Sequence, residues 1–179
     1  MSVTKGSITL SDVIDNPWVD RKEDALNLSY ADETLDVIIA NNMIHHLAQQ
    51  LKFFQEANRV LKKGGRLLIQ DVNCSLMMQR LLRFMHIEDF DFDVDVFDVK
   101  RSCINQQNPW DGNDAIPNLL FEDVSEFLVY IVSGGINGKT FIIPLPYIVL
   151  KVLDSIDNIL VSKLHKVFAL QIRVVLEKK

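Results

Sequence analysis

The stretch LDVIIANNMIHHLAQQLKFFQEANRVLKKGGRLLIQDV, residues 35–72, decides the fold. It opens with LDVIIA (35–40), a continuous apolar run rich in β-branched residues. Such a run predicts a strand buried on both faces, as in a parallel sheet with helices on either side. Leu47, Leu51, Phe54, Ala57 and Leu61 then recur at three- and four-residue steps, which predicts an amphipathic helix. KKGG ends it: lysines suit the negative end of the helix dipole, and Gly64 suits a left-handed residue just beyond. RLLIQDV (66–72) predicts a second buried strand. Strand, helix and strand in this order form one βαβ unit, expected to be right-handed.

Outward from this unit the pattern stays α/β. SITLSDV predicts a strand from Ser7 to Asp12, DNPW a turn, and the polar stretch after it one brief strand near Lys22 to Ala25. Ser75 suits the cap of a helix whose apolar side carries Leu76, Met77, Leu81, Leu82 and Met85. NQQNPWDGNDAIPN reads as a loop, and EFLVYIV (126–132) as a strand. Pro146 fits the start of a helix reaching Leu164, and VFALQIRVVLE closes the chain as a strand. No repeat, low-complexity tract or linker interrupts the 179 residues, which suit one domain with a real core.

Bulk properties exclude several classes. The formal net charge is -5 and the basic residues are scattered, so no basic face is offered to nucleic acid. Cys74 and Cys103 lack metal or disulfide spacing, which suits a reducing, cytoplasmic setting. The N-terminus has no apolar core of signal-peptide length, and FIIPLPYIVLKVL (141–153) is too short to span a bilayer.

Four features compete for chemistry. His45 and His46 are adjacent, so on a helix their rings point about 100° apart and cannot share one metal. A catalytic base is open for such a residue, but the favoured reading is structural. One histidine caps or packs at the helix start and the other faces solvent. Asn41 and Asn42 fall at the carboxyl end of the first buried strand, where open α/β sheets place ligands. Asn41 is therefore preferred as a ligand contact over simple turn chemistry.

Asp91, Asp93 and Asp95 alternate with apolar residues. A calcium loop would need Gly and Glu where Val96 and Ser102 stand, so a half-wet strand or flap is expected. SGGINGKT (133–140) lacks only the first glycine of a phosphate-binding loop. The prolines in the following FIIPLP argue against the helix that such a loop requires.

EDALNLSYADETLDVIIANNMIHHL, FFQEANRVLKKGGRLLIQDV and the closing strand together resemble the type 11 class I S-adenosylmethionine-dependent methyltransferases. In that family an acidic residue ends the second strand, and an Asp-Ala-type pair precedes a "lPF-D-sFD" segment and the fourth strand. A "LkPGG" turn then leads into the fifth. This chain carries Asp12, then Asp24-Ala25, then LSYADETLD, then LKKGGRLLI.

The resemblance implies a Rossmann-like methyltransferase sheet, mostly parallel with an antiparallel last strand, in a single domain over residues 1–179. Residues 7–72 would form the cofactor half, 73–125 a substrate-side insertion or lid, and 126–179 a C-terminal strand–helix–strand. It implies S-adenosylmethionine as cofactor, with Asp12 on the ribose hydroxyls, where a carboxylate accepts two hydrogen bonds at once. Asp24 and Ala25 would lie by the adenine ring and Asn41 near the methionyl part. No catalytic residue is dictated, because in-line methyl transfer leans on positioning; His46 is the candidate.

One departure is large. The family's first strand and Gly-rich loop should precede SITLSDV, yet six residues do, and no G-x-G-x-G occurs. An N-terminally truncated form is expected, with weak or absent cofactor binding. Losing two or three backbone hydrogen bonds at ~1 kcal/mol each lowers affinity roughly ten- to a few-hundredfold. The family's first strand lies between the second and fourth. Without it those two pair directly, or another chain (a second copy or a partner) fills the gap. The expected function is methyl transfer to an unidentified small-molecule acceptor. Alternatives are a non-catalytic methyltransferase-like partner subunit and nucleotide binding through SGGINGKT.

Overall fold

The computed structural model describes residues 6–85, 89–98, 102, 104, 108, 111–121, 126–128, 166–167 and 171–179. Its elements are β1 (Ser11–Asp12), β2 (Arg21–Lys22), β3 (Leu35–Asn41), a 3-10 turn (Ile44–His46), α1 (Gln50–Val60) and β4 (Leu61–Val72). They continue with α2 (Leu76–Met85), α3 (Ile116–Phe121), β5 (Glu126–Leu128) and β6 (Gln171–Glu177). The predicted helix from Pro146 and the SGGINGKT stretch lie outside the described residues, as do Cys103 and the end of EFLVYIV.

The main sheet has the order β3-β4-β6-β5. β3 and β4 run parallel, while β6 runs antiparallel to both β4 and β5. Three strands thus share one direction and the last is reversed, the mixed α/β sheet expected for a Rossmann-like methyltransferase. The βαβ unit is present, with α1 between its two strands. β1 and β2 form a separate parallel pair. Direct pairing of the strand ending at Asp12 with β3 is therefore corrected: Asp12 is opposite Lys22 instead.

Alternation of side chains assigns the faces. Ile38 and Ala40 of β3, Leu67, Ile69 and Asp71 of β4, and Ile172 and Val174 of β6 point to one side. There Ile44, Leu47, Phe53, Ala57, Ile116 and Phe121 complete the core. The opposite side holds Val37, Ile39 and Val175, which are 50%, 72% and 56% exposed. The expectation that 35–40 is buried on both faces thus holds for one face only.

Two boundaries differ for physical reasons. α1 stops at Val60 because Leu61 turns to extended backbone, packs into the core and pairs with Leu35. Gly64 is left-handed at φ 74°, but inside β4 rather than as a helix terminator. Residues 62–65 bulge out between the Leu35–Leu61 and Val37–Arg66 pairs. A Cβ on Gly65 would sit 2.8 Å from the Lys62 carbonyl and 3.2 Å from that of Asp36, so the bulge needs a bare backbone there.

Three further expectations shift. Regular strand structure at the N-terminus covers only Ser11–Asp12 rather than 7–12, and the second brief strand is Arg21–Lys22. Leu10 instead pairs by hydrogen bonds with Asp20 across the turn. Residues 91–98 are turns, not a strand: Asp91 and Asp95 each accept the amide two residues on, at 2.8 and 2.9 Å. Lys166 and Val167 are helical, so the closing strand begins at Gln171. The Ser75 cap forms, its Oγ accepting the Met78 amide at 3.3 Å.

Candidate functional site

β3 and β4 end side by side, with Asn41 opposite Gln70. The chain leaves β3 through Asn42, left-handed at φ 47°, whose amide donates to the Gln70 carbonyl at 2.8 Å. Asparagine tolerates that region better than most residues. The turn drops Met43 to His46 onto the end of β4, where Asp71 is fully buried.

Asp71 organises this end of the sheet. Its Oδ2 accepts the amides of Met43 and Ile44 at 3.1 and 2.7 Å. Its Oδ1 accepts from Nδ1–H of His45 in a very short hydrogen bond. The Val72 amide also donates to Oδ1, at 2.8 Å, and a buried carboxylate with these four donors is satisfied, as burial demands. His45 is 5% exposed, and its Nε2 lies 3.9 Å from Oδ1 of buried Asp114. The imidazole thus sits between two carboxylates, one from β4 and one from the 111–115 segment.

His46 is half-buried and held from the same segment. Its Nδ1 lies 2.9 Å from the Asp111 carbonyl, which only accepts, so Nδ1 carries the proton. In the neutral ring Nε2 then has the lone pair. Gly112 makes the approach feasible: a Cβ there would be 2.9 Å from His46 Nδ1 and 3.3 Å from His45 Cδ2. The Asn113 amide donates to the His45 carbonyl at 2.9 Å. The histidine pair therefore clasps the strand ends to a segment some seventy residues on.

The sequence-predicted residues are placed as follows. Asp12 is exposed in β1, one oxygen accepting the Ile14 amide at 2.9 Å, and its carbonyl accepts the Glu23 amide at 2.9 Å. Asp24 is exposed, one oxygen accepting the Leu26 amide at 2.8 Å. Ala25 is half-buried against the core, and Asn41 is exposed at the end of β3. The β1–β2 pair sets Asp12 beside Lys22 and Glu23, just before Asp24, whereas Asn41 belongs to the other sheet. Both carboxylates spend one oxygen on their own turns and keep the other outward. Among the described residues no Gly-rich loop lies beside these carboxylates.

Sequence reasoning missed Asp71 and Asp114, and it expected one histidine to face solvent. His45 packs, as that reading allowed; His46 is held by a backbone carbonyl instead. The signal for Asp71 was there: a lone carboxylate ending an otherwise apolar strand. Among the described residues no group of three or more His, Cys, Asp or Glu is arranged to hold a metal ion. No helix among them is long and apolar enough to cross a membrane.

A cleft of about 290 Å³ opens just beyond, lined by Asn73, Cys74, Ser75, Leu76, Gln79, Phe92, Asn118 and Lys166. Burial pushes the Cys74 thiol up to about 12, helped by the charge of Asp114 and opposed by Arg83. It is a protonated, unreactive lining group at neutral pH.

Comparison with known proteins bears on residues 11–69, which match the family described as methyltransferase domain. The 27-O-demethylrifamycin SV methyltransferase of Amycolatopsis mediterranei is 36% identical over 58 residues, 32% of this chain and 21% of that enzyme. The protein YafE of Escherichia coli is 40% identical over 48 residues, 27% of this chain and 23% of that protein. The matched region thus spans under a quarter of the length of these relatives. A solved S-adenosylmethionine-dependent methyltransferase from Methanosarcina mazei aligns over 88% of this chain and 66% of its own, at 14% identity and a TM-score of 0.39. The likeness to methyltransferase domains is thus carried by residues 11–69, from β1 into β4.

Proposed function

We propose that this chain transfers a methyl group from S-adenosylmethionine to a small-molecule acceptor at the carboxyl ends of β3 and β4. The observation that carries the reading is the coincidence of two things. The family match covers residues 11–69, and the buried His45–Asp71 pair lies at the strand ends where such sheets gather ligands.

S-adenosylmethionine, when bound, supplies an electrophilic methyl group. Asp12 and Asp24 would hold its adenosyl end through their outward oxygens, with Ala25 against the base and Asn41 toward the methionyl end. His46 would take the acceptor's proton at Nε2, since the Asp111 carbonyl keeps the ring in the Nδ1–H form. Asp71 and His45 do not need to touch substrate. They hold the 43–46 turn, and so the His46 ring, in place.

Calorimetric titration of the full chain with S-adenosylmethionine tests this. Saturable binding that weakens about tenfold in Asp12→Ala, a loss of roughly 1.4 kcal/mol, supports the reading. Absence of binding at millimolar cofactor ends it for this chain.

A second reading is favoured by one observation: the sheet face carrying Val37, Ile39 and Val175 is open. A non-catalytic methyltransferase-like partner subunit would keep such a face for contact with another chain. Nucleotide binding through SGGINGKT falls outside the described residues.

A further inference from the structure

Helix α2 is apolar on the side it turns outward. Leu82 packs into the protein, and Gln79 donates from Nε2 to the Cys74 carbonyl at 3.0 Å, so these two mark the inner side. At about 100° per residue the opposite side carries Arg80, Leu81, Phe84 and Met85 as three- and four-residue neighbours. All four are exposed, Phe84 by 84%. Surface helices ordinarily turn polar residues outward, whereas here a phenylalanine holds the centre of the outer side. The helix carries Arg80 and Arg83 and no carboxylate.

The segment that follows has the opposite charge. Asp89, Asp91 and Asp93 are exposed, and Phe92 among them is 41% exposed. The two parts adjoin. The Arg83 guanidinium lies over the Phe90 ring at 5.0 Å, and Phe90 meets Phe92 edge-on with centroids 6.4 Å apart. One continuous surface thus holds a basic half, an acidic half and an exposed aromatic side chain in each.

We propose that this surface binds a second copy of the chain about a two-fold axis. A two-fold contact is self-complementary: the place where one copy offers a group is where the other receives it. Rotation sets Arg80 and Arg83 of each copy against Asp89 to Asp93 of the other, with Phe84 as the apolar anchor. Aromatic and arginine side chains carry much of the energy of such contacts, and opposed charges fix the register. A lipid surface is the weaker match, because the aspartates beside the helix would meet anionic headgroups with like charge. The contact goes beyond methyl transfer and does not depend on it.

Sedimentation of the full chain over a concentration series tests it. The parent is expected to pass from monomer to dimer, and less readily as salt rises. Arg80→Glu with Arg83→Glu makes the surface wholly acidic and should weaken the dimer at least tenfold. Asp89→Lys with Asp93→Lys makes it wholly basic, leaves the Asp91 turn in place and should do the same. Mixing the two double variants should restore dimers of one copy of each, since every charge again meets its opposite. Phe84→Ser should also cost at least tenfold, with thermal unfolding unchanged. Contact through the open sheet face would not respond to the charge swap. A parent that stays monomeric at high concentration, a dimer indifferent to either reversal, or a mixture that stays monomeric overturns the proposal. So does binding to vesicles of phosphatidylserine and phosphatidylcholine by a chain that remains monomeric.

Discussion

Gly112 touches the imidazole of His46 so closely that any side chain there must move the ring or the loop. Gly112→Ala is therefore expected to break the bond from His46 Nδ1–H to the Asp111 carbonyl. Nitrogen NMR of the ring reads this directly: one tautomer in the parent chain, a mixture in the variant. An unchanged tautomer would show that the loop yields without cost. Asp71 carries more. Asp71→Ala strands the amides of Met43 and Ile44 and the ring of His45, and each buried unsatisfied donor costs ~1–3 kcal/mol. A loss of roughly 3 kcal/mol or more in urea unfolding is expected. Cys74 is a third case. With its thiol pushed up to about 12 by burial, alkylation by iodoacetamide at pH 8 should be slow in the folded chain and fast in urea. A Cys103→Ser background isolates the signal.

At the scale of elements, the two faces of the sheet make opposite predictions for one substitution. Ile39→Thr keeps β-branching on a residue 72% exposed and should change stability by less than ~0.5 kcal/mol. Ile69→Thr buries a hydroxyl where the isoleucine is fully enclosed and should cost ~3 kcal/mol. Thermal unfolding of the pair decides whether the outer face is as open as described. The end of α1 is tied to the 28–32 loop by Arg59, which donates to Glu56, Asp32 and the carbonyls of Leu28 and Tyr30. The bond from Arg59 holds the Glu56 carboxyl below its ordinary value of 4.5; burial opposes and the Leu28 amide assists. A lowered folded value means the unfolded chain binds the proton first. The contribution is present above about pH 4.5 and is lost as pH falls through the folded value. Glu56→Gln should flatten the acid limb of the stability profile, and an unaltered limb would assign acid sensitivity to other groups.

For the molecule as a whole, the exposed apolar face and the edge of β3, unpaired among the described residues, suit contact with another chain. If another chain binds there, the mass in solution should rise with concentration; a stable monomer at high concentration by light scattering would count against it. The βαβ unit was legible in residues 35–72 because period and composition are local properties: β-branched runs extend, and three- and four-residue apolar steps coil. The order of motifs from Asp12 to the KKGG turn was legible for the same reason, and the family match falls on that stretch. Burial was not legible. The same apolar run is core at Ile38 and Ala40 and surface at Val37 and Ile39, because burial depends on which neighbour arrives, not on the strand itself. The histidines show the same limit. The sequence by itself determined that two imidazoles follow a parallel strand. Only the tertiary structure decided their roles, since Asp71 comes from the next strand and Asp111 to Asp114 from a distant segment. Distance in sequence carries no sign of contact in space, and hydrogen bonds to buried groups form wherever packing brings donors and acceptors together.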